Sequence, residues 1–178
     1  MPQRRFINPD IYTYQQSLRS TLVTTRFNHQ TWAENQAYLA NTPFQCIYAS
    51  ITPLAQSVAE RSPVFVLEMN NDTNTILGIG LVLNVPIINK YNIYQTDTKH
   101  NQYAYVGKHR IERTTMTPEA EEIMQVLDQL CFRGKRHLKR LVGIKQFPLD
   151  KLYNCKVHAG IDLVKYIAHL FQQKTTPT

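Results

Sequence analysis

The sequence predicts an α+β fold, on three observations. Two apolar runs, residues 64–69 and 75–83, flank a cluster of turn formers at 70–74, the pattern of a β-hairpin. Thr117-Pro118 followed by three glutamates and an apolar stripe marks a capped amphipathic helix. A second apolar stripe, Ile161, Val164, Ile167, Ala168 and Phe171, marks a closing helix over 159–172. With no internal repeat and no second core visible in 178 residues, one domain is expected.

Residues 1–28 read as a basic arm, with Arg4, Arg5, Arg19 and Arg26 against one acid, Asp10. Phe6 and Tyr12 would tie it down, and a short helix at about 12–22 would align Tyr14, Leu18 and Leu22. The domain proper is set at 29–173 and a frayed tail at 174–178. Residues 31–41 predict a helix through Trp32, Gln36, Leu39 and Ala40, capped by Asn28 or Thr31 and stopped by Pro43. A short strand follows at 44–50, then the hairpin. Gly78 and Gly80 sit two apart in its second run, on one face, where a bend or a close approach is expected. Glycine spacing there does not fit a phosphate-binding loop.

A polar loop at 86–101 leads to a strand at 102–106, continued by 108–113 as a short strand or turn. Gly134 ends the Thr117 helix. A basic run follows, then a returning strand at 142–147 and one helical turn at 148–153. No run approaches the ~18 apolar residues of a membrane span, and no secretory h-region follows the N-terminus. Cys46, Cys131 and Cys155 are odd in number and far apart, which suits free thiols in an intracellular setting. No ligand spacing for zinc is present, and neither metal nor cofactor is expected.

Composition points to polyanions. Formal net charge is +7 and the pI about 9.4, while charged residues make up only 19% of the chain. From Cys131 through Lys145 there are six Lys or Arg and no acid. Arg133, Lys135, Arg136, His137, Lys139 and Arg140 are therefore candidate phosphate contacts. Its alternative is a solvated loop answering Glu119, Glu121 and Glu122. Lys108, Arg110 and Arg113, with His109, form a second cluster expected to converge with the first on one groove, unless Arg110 simply pairs with Glu112. Glu68 reads as the solvent-facing member of an edge strand, or alternatively as a pocket carboxylate.

Residues 45–147 resemble an uncharacterised protein family of large double-stranded DNA viruses. Ile47-Tyr48-Ala49-Ser50, the hairpin runs around Glu68 and Gly78-Ile79-Gly80, the Lys108–Arg113 piece and Phe132-Arg133-Gly134-Lys135-Arg136-His137-Leu138-Lys139-Arg140 carry the likeness. It implies an infected host cell's cytoplasm or nucleus, or a virion. Strand order and the Gly-Ile-Gly piece are also similar to the PUA-like folds, including EVE and YTH modules. That resemblance implies a small curved sheet or partly open β-barrel with flanking helices, reading an exposed or modified base in an aromatic pocket. It would put Tyr48, Ser50 and Asn70 near the pocket mouth, with Tyr48, Tyr103 or Tyr105 stacking on the base.

The expected function is non-enzymatic binding of DNA or RNA through these two basic stretches, with contacts to its phosphates dominating. One alternative is an assembly protein of a virion or nucleoprotein, with an acidic protein partner. Another is a nucleic-acid-processing enzyme using Glu68, His109 or His137 as acid or base. No membrane partner is expected.

Overall fold

The computed structural model describes residues 8–175; Arg4, Arg5 and Phe6 of the basic arm and residues 176–178 of the tail lie outside them. In chain order the elements are α1 (Pro9–Ser17), β1 (Thr21–Phe27), α2 (His29–Leu39), β2 (Cys46–Ser50), β3 (Pro63–Asn70), β4 (Thr75–Leu83) and β5 (Ile87–Ile88). There follow β6 (Tyr103–Gly107), β7 (His109–Glu112), α3 (Pro118–Phe132), β8 (Lys145–Gln146), α4 (Leu149–Ala159) and α5 (Leu163–Thr175). Five strands build one sheet in the order β7-β4-β3-β1-β8, and three build a second, β2-β6-β5. The α+β class holds, and the sheets do not close into a barrel. Among the described residues, no helix is long and apolar enough to cross a membrane.

The main sheet is buried on both faces, because alternate residues of its strands point to opposite sides. Leu22 of β1 and Phe65, Leu67 and Met69 of β3 pack with α3, α4 and α5. Val23, Phe27, Val64 and Val66 pack with β2, β6 and Trp32 of α2. The expected single core is therefore two, one on each face of a shared sheet.

The N-terminal arm is also corrected. Residues 21–27 are not a surface segment but β1, paired in parallel with β3 along its whole length and with β8 on its other side. Thr24 and Thr25 are buried. A strand covered on both faces loses the polar–apolar alternation that would announce it, and threonine-rich β-branched sequence then reads as polar chain. Helix α1 starts at Pro9 behind the Asn8 cap and stops at Ser17, so the helix expected over 12–22 is displaced towards the N-terminus.

Elsewhere local chemistry decides the ends. Asn28 and Thr31 form a capping box at α2, and Thr117 caps α3. Leu67 pairs with Ile79 and Met69 with Ile76, so Leu77 and Gly78 both stand opposite Glu68 as a bulge. The single turn expected after Pro148 extends to Ala159, where Gly160 in the left-handed region ends α4. Helix α5 accordingly begins at Leu163, later than 159.

Candidate nucleic-acid interface

After α3 the chain turns outward and travels from Arg133 to β8 in an irregular loop. Apolar anchors and half-buried donors hold its backbone. Leu138 and Ile144 are buried, and Leu138 N–H donates to the Cys131 carbonyl at 2.7 Å. Arg26 of β1 donates to the Leu138 carbonyl at 3.0 Å and to the Gly143 carbonyl at 2.6 Å. Asn71, in the β3–β4 turn, donates to the Lys139 carbonyl at 3.0 Å. Lys151 Nζ donates to the carbonyls of Leu130 and Arg136 at 2.6 and 2.8 Å. Backbone acceptors thus face inward and are satisfied, while Arg133, Lys135 and Arg140 are exposed and Lys139 is half-buried. Among the described residues these four have no ion-pair partner. Arg136 pairs with Asp150 at 2.6 Å in a surface bridge, not with the glutamates of α3. His137 is half-buried, and its Nδ1 has no hydrogen-bond partner.

The second basic stretch does not join the first. Lys108 and His109 are exposed at the β6–β7 turn, and His109 lies opposite Leu81. Lys139 instead sits against Asn71, in the turn at the far end of β4, so the strand from Thr75 to Leu81, about 20 Å, separates the two levels. Strands β7 and β8 are moreover opposite edges of the main sheet. Arg110 and Arg113 are spent on carboxylates. Arg113 bridges Glu121 at 2.7 Å and Asp128 at 2.8 Å, tying β7 to α3. Arg110 pairs with Glu112, as the alternative reading had it, and also with Glu68 at 2.6 Å.

The base-pocket set is corrected as well. Tyr48, Ser50, Asn70 and Tyr105 are buried core or turn residues, and only Tyr103 is partly exposed. Asn70 Oδ1 accepts from the backbone of Asp72 and Thr73 in the hairpin turn. Ser50 Oγ accepts from Ile144 N–H at 3.3 Å. Tyr105 Oη accepts from Leu54 N–H at 2.9 Å. Each polar atom is used to hold backbone, as buried polar groups must be.

Tyr48 belongs to a buried polar cluster. Its hydroxyl donates to Glu68 Oε1 at 2.6 Å, and Arg110 Nε donates to the same oxygen at 2.8 Å. Glu68 is 1% exposed on an interior strand, so it is neither an edge residue facing water nor an open pocket acid. Burial, and then the Glu68 carboxylate, push the Tyr48 phenol well above its ordinary pKa, so it stays a donor. The cluster needs the two glycines: a Cβ on Gly80 would collide with the Tyr48 ring and hydroxyl, and one on Gly78 would lie 2.7 Å from the Ile111 carbonyl. We predict that Gly80→Ala costs about 1–3 kcal/mol by overpacking. Urea denaturation measures it, and adding Tyr48→Phe should recover part of the loss; no recovery would mean the collision lies elsewhere.

Two elements of the interface had no sequence signal that separated them from the rest. In sequence Arg26 belongs to a basic arm, and Asn71 to a cluster of generic turn formers. Among the described residues, no three of His, Cys, Asp and Glu gather as a metal site. Glu68, His109 and His137 are likewise dispersed: the first is locked in its ion pair, the second exposed on β7, the third in the loop. Neither the protein-family models nor the curated proteins contain a match to this chain.

Proposed function

We propose that the chain is a non-enzymatic nucleic-acid-binding module whose contact surface is the loop of residues 133–145. One observation carries the reading: the loop's backbone is fixed from inside by Arg26, Asn71 and Lys151, while Arg133, Lys135, Lys139 and Arg140 are left without carboxylates among the described residues. Cations presented on an ordered loop need little further ordering to meet a phosphate backbone, and each phosphate neutralised releases counterions. Lys108, Arg110 and Arg113 are not part of this surface. Phosphate contact positions a strand without reading its sequence, so the module is expected to tolerate many sequences. Such a role suits the resemblance to a family of large DNA viruses. A base-reading pocket of PUA-like type, if the chain has one, would have to be built without Tyr48, Ser50, Asn70 and Tyr105.

The test is the salt dependence of binding. Fluorescence anisotropy with labelled single-stranded DNA, duplex DNA and RNA should give a linear fall of log K with log salt. Replacing Arg133, Lys135, Lys139 and Arg140 together by Ala should reduce that slope by about 3 units, at about 0.7–0.9 per lost phosphate contact. A parent-like slope and affinity in the fourfold variant, with unchanged thermal unfolding, would remove the loop as the contact surface.

A further inference from the structure

Residues 139–142 project from the loop between two fixed points. Leu138 and Ile144 are buried on either side of them. One guanidinium, that of Arg26, holds the carbonyls of both Leu138 and Gly143, at 3.0 and 2.6 Å. The chain therefore leaves the core and returns to it within the reach of a single side chain. Leu141 N–H closes the turn on the Leu138 carbonyl at 3.3 Å. Gly143, in the left-handed region at φ 71°, lets the backbone lie against Ser50, where a Cβ would stand 2.3 Å from Oγ.

At the tip stand Leu141 and Val142, 40% and 59% exposed. A single exposed aliphatic residue is ordinary, but these two are consecutive and sit on a turn that is held in place. Folding them inward would displace Leu138 and Ile144, which already fill the space below. Lys139, Arg140 and Lys145 flank the pair, and none of the three has an ion-pair partner among the described residues. From Cys131 through Lys145 there is no acid.

Cations beside a protruding aliphatic pair form the arrangement with which architectural proteins part a base step. The aliphatic groups enter from the minor groove and unstack the step, while the cations hold the adjoining phosphates and the helix bends. Single strands are held instead on aromatic platforms. Residues 133–145 contain no Phe, Tyr or Trp, and their one histidine, His137, is half-buried. A membrane surface also takes basic and apolar groups together. Leucine and valine, however, carry only about half the carbon of a myristoyl chain, itself a marginal anchor.

We infer that Leu141 and Val142 are a wedge that enters a base step of duplex DNA and bends it. This wedge rests on the reading of the loop as a phosphate contact, and names duplex DNA as what the loop takes. Steps that unstack cheaply, such as TA, or a mismatch, are then preferred without any base being read.

Energy transfer between dyes at the two ends of a duplex of about 20 base pairs measures the bend. The full chain should shorten the end-to-end distance, through a kink of about 20–90°. Leu141→Ser with Val142→Ser should abolish the shortening and weaken duplex binding about tenfold. Thermal unfolding and the salt slope should stay unchanged, because both residues are exposed and every cation remains. A duplex with a central mismatch should bind the parent about tenfold more tightly than its matched twin, and the serine variant equally.

The salt slope reports the loop, and the bend reports the wedge. A slope carried by the loop cations, with no shortening or with shortening kept in the serine variant, keeps the loop reading and overturns the wedge. Tighter binding to single-stranded DNA or RNA than to duplex, weakened by the serines, overturns the duplex assignment. No binding to any oligonucleotide removes both. Sedimentation with anionic phospholipid vesicles, lost in the serine variant, would then give the pair to a membrane surface instead.

Discussion

Glu68→Ala is expected to destabilise the protein by about 3–5 kcal/mol, the cost of removing one member of a buried ion pair. The substitution leaves Arg110, whose side chain is only 11% exposed, with Glu112 alone, and Glu112 is 43% exposed. Burial works against the Arg110 charge, yet hydrogen bonds and attraction from Glu68 and Glu112 raise its pKa above the ordinary value; losing the better-buried partner therefore exposes the desolvation cost. Tyr48 loses the acceptor of its hydroxyl at the same time. Chemical denaturation should show a lower midpoint at an unchanged slope. Replacing both charges, Glu68→Met with Arg110→Met, should cost less than Glu68→Ala, because an apolar pair leaves nothing uncompensated. A loss below about 1 kcal/mol for Glu68→Ala would show that β7 is held by its ladder with β4 and not by this pair.

The same cluster shows what could be read from the sequence. Gly78 and Gly80 announced a close approach, because glycine inside a strand has few other uses, and the approach is there. What approaches them was not legible: Tyr48, Glu68 and Arg110 come from three strands, and their meeting depends on sheet order. The hairpin, α2 and α3 were legible because each is specified by neighbours in sequence, through turn formers or caps. Strand β1 was not, since its identity as a strand rests on β3 and β8 covering its edges. Charge behaved likewise. The density of cations at 133–145 is a local property and survives as an exposed loop. Whether a given cation is free is a tertiary property, and it separated Arg133, Lys135, Lys139 and Arg140 from Arg110 and Arg113. Arg26 shows the limit most sharply: it stands in a run of threonines and hydrophobics, and only the fold gives it two loop carbonyls to hold.

That role makes Arg26→Met the variant that separates ordering of the loop from its charge. Methionine keeps much of the side-chain length and fills space beside Met69, whose sulfur lies 3.9 Å from the guanidinium. It cannot donate, so the Leu138 and Gly143 carbonyls lose their donors, as do both Thr24 acceptors. Each lost hydrogen bond to a charged donor is worth about 1.5–3 kcal/mol, and removing a buried unpaired charge offsets part of the sum. A net loss of about 2–3 kcal/mol is expected. Hydrogen exchange locates it: amides from 138 to 144 should exchange faster while those of β3 keep their relative protection. The four free cations remain, so the salt slope should change by at most about one unit, yet affinity should fall about tenfold because the loop must now be ordered on binding. The fourfold loop variant has the opposite signature, a reduced slope on an unperturbed fold. Parent-like affinity in Arg26→Met would mean that the loop binds equally well unpinned, and that its cations act as a diffuse charge and not as a positioned set.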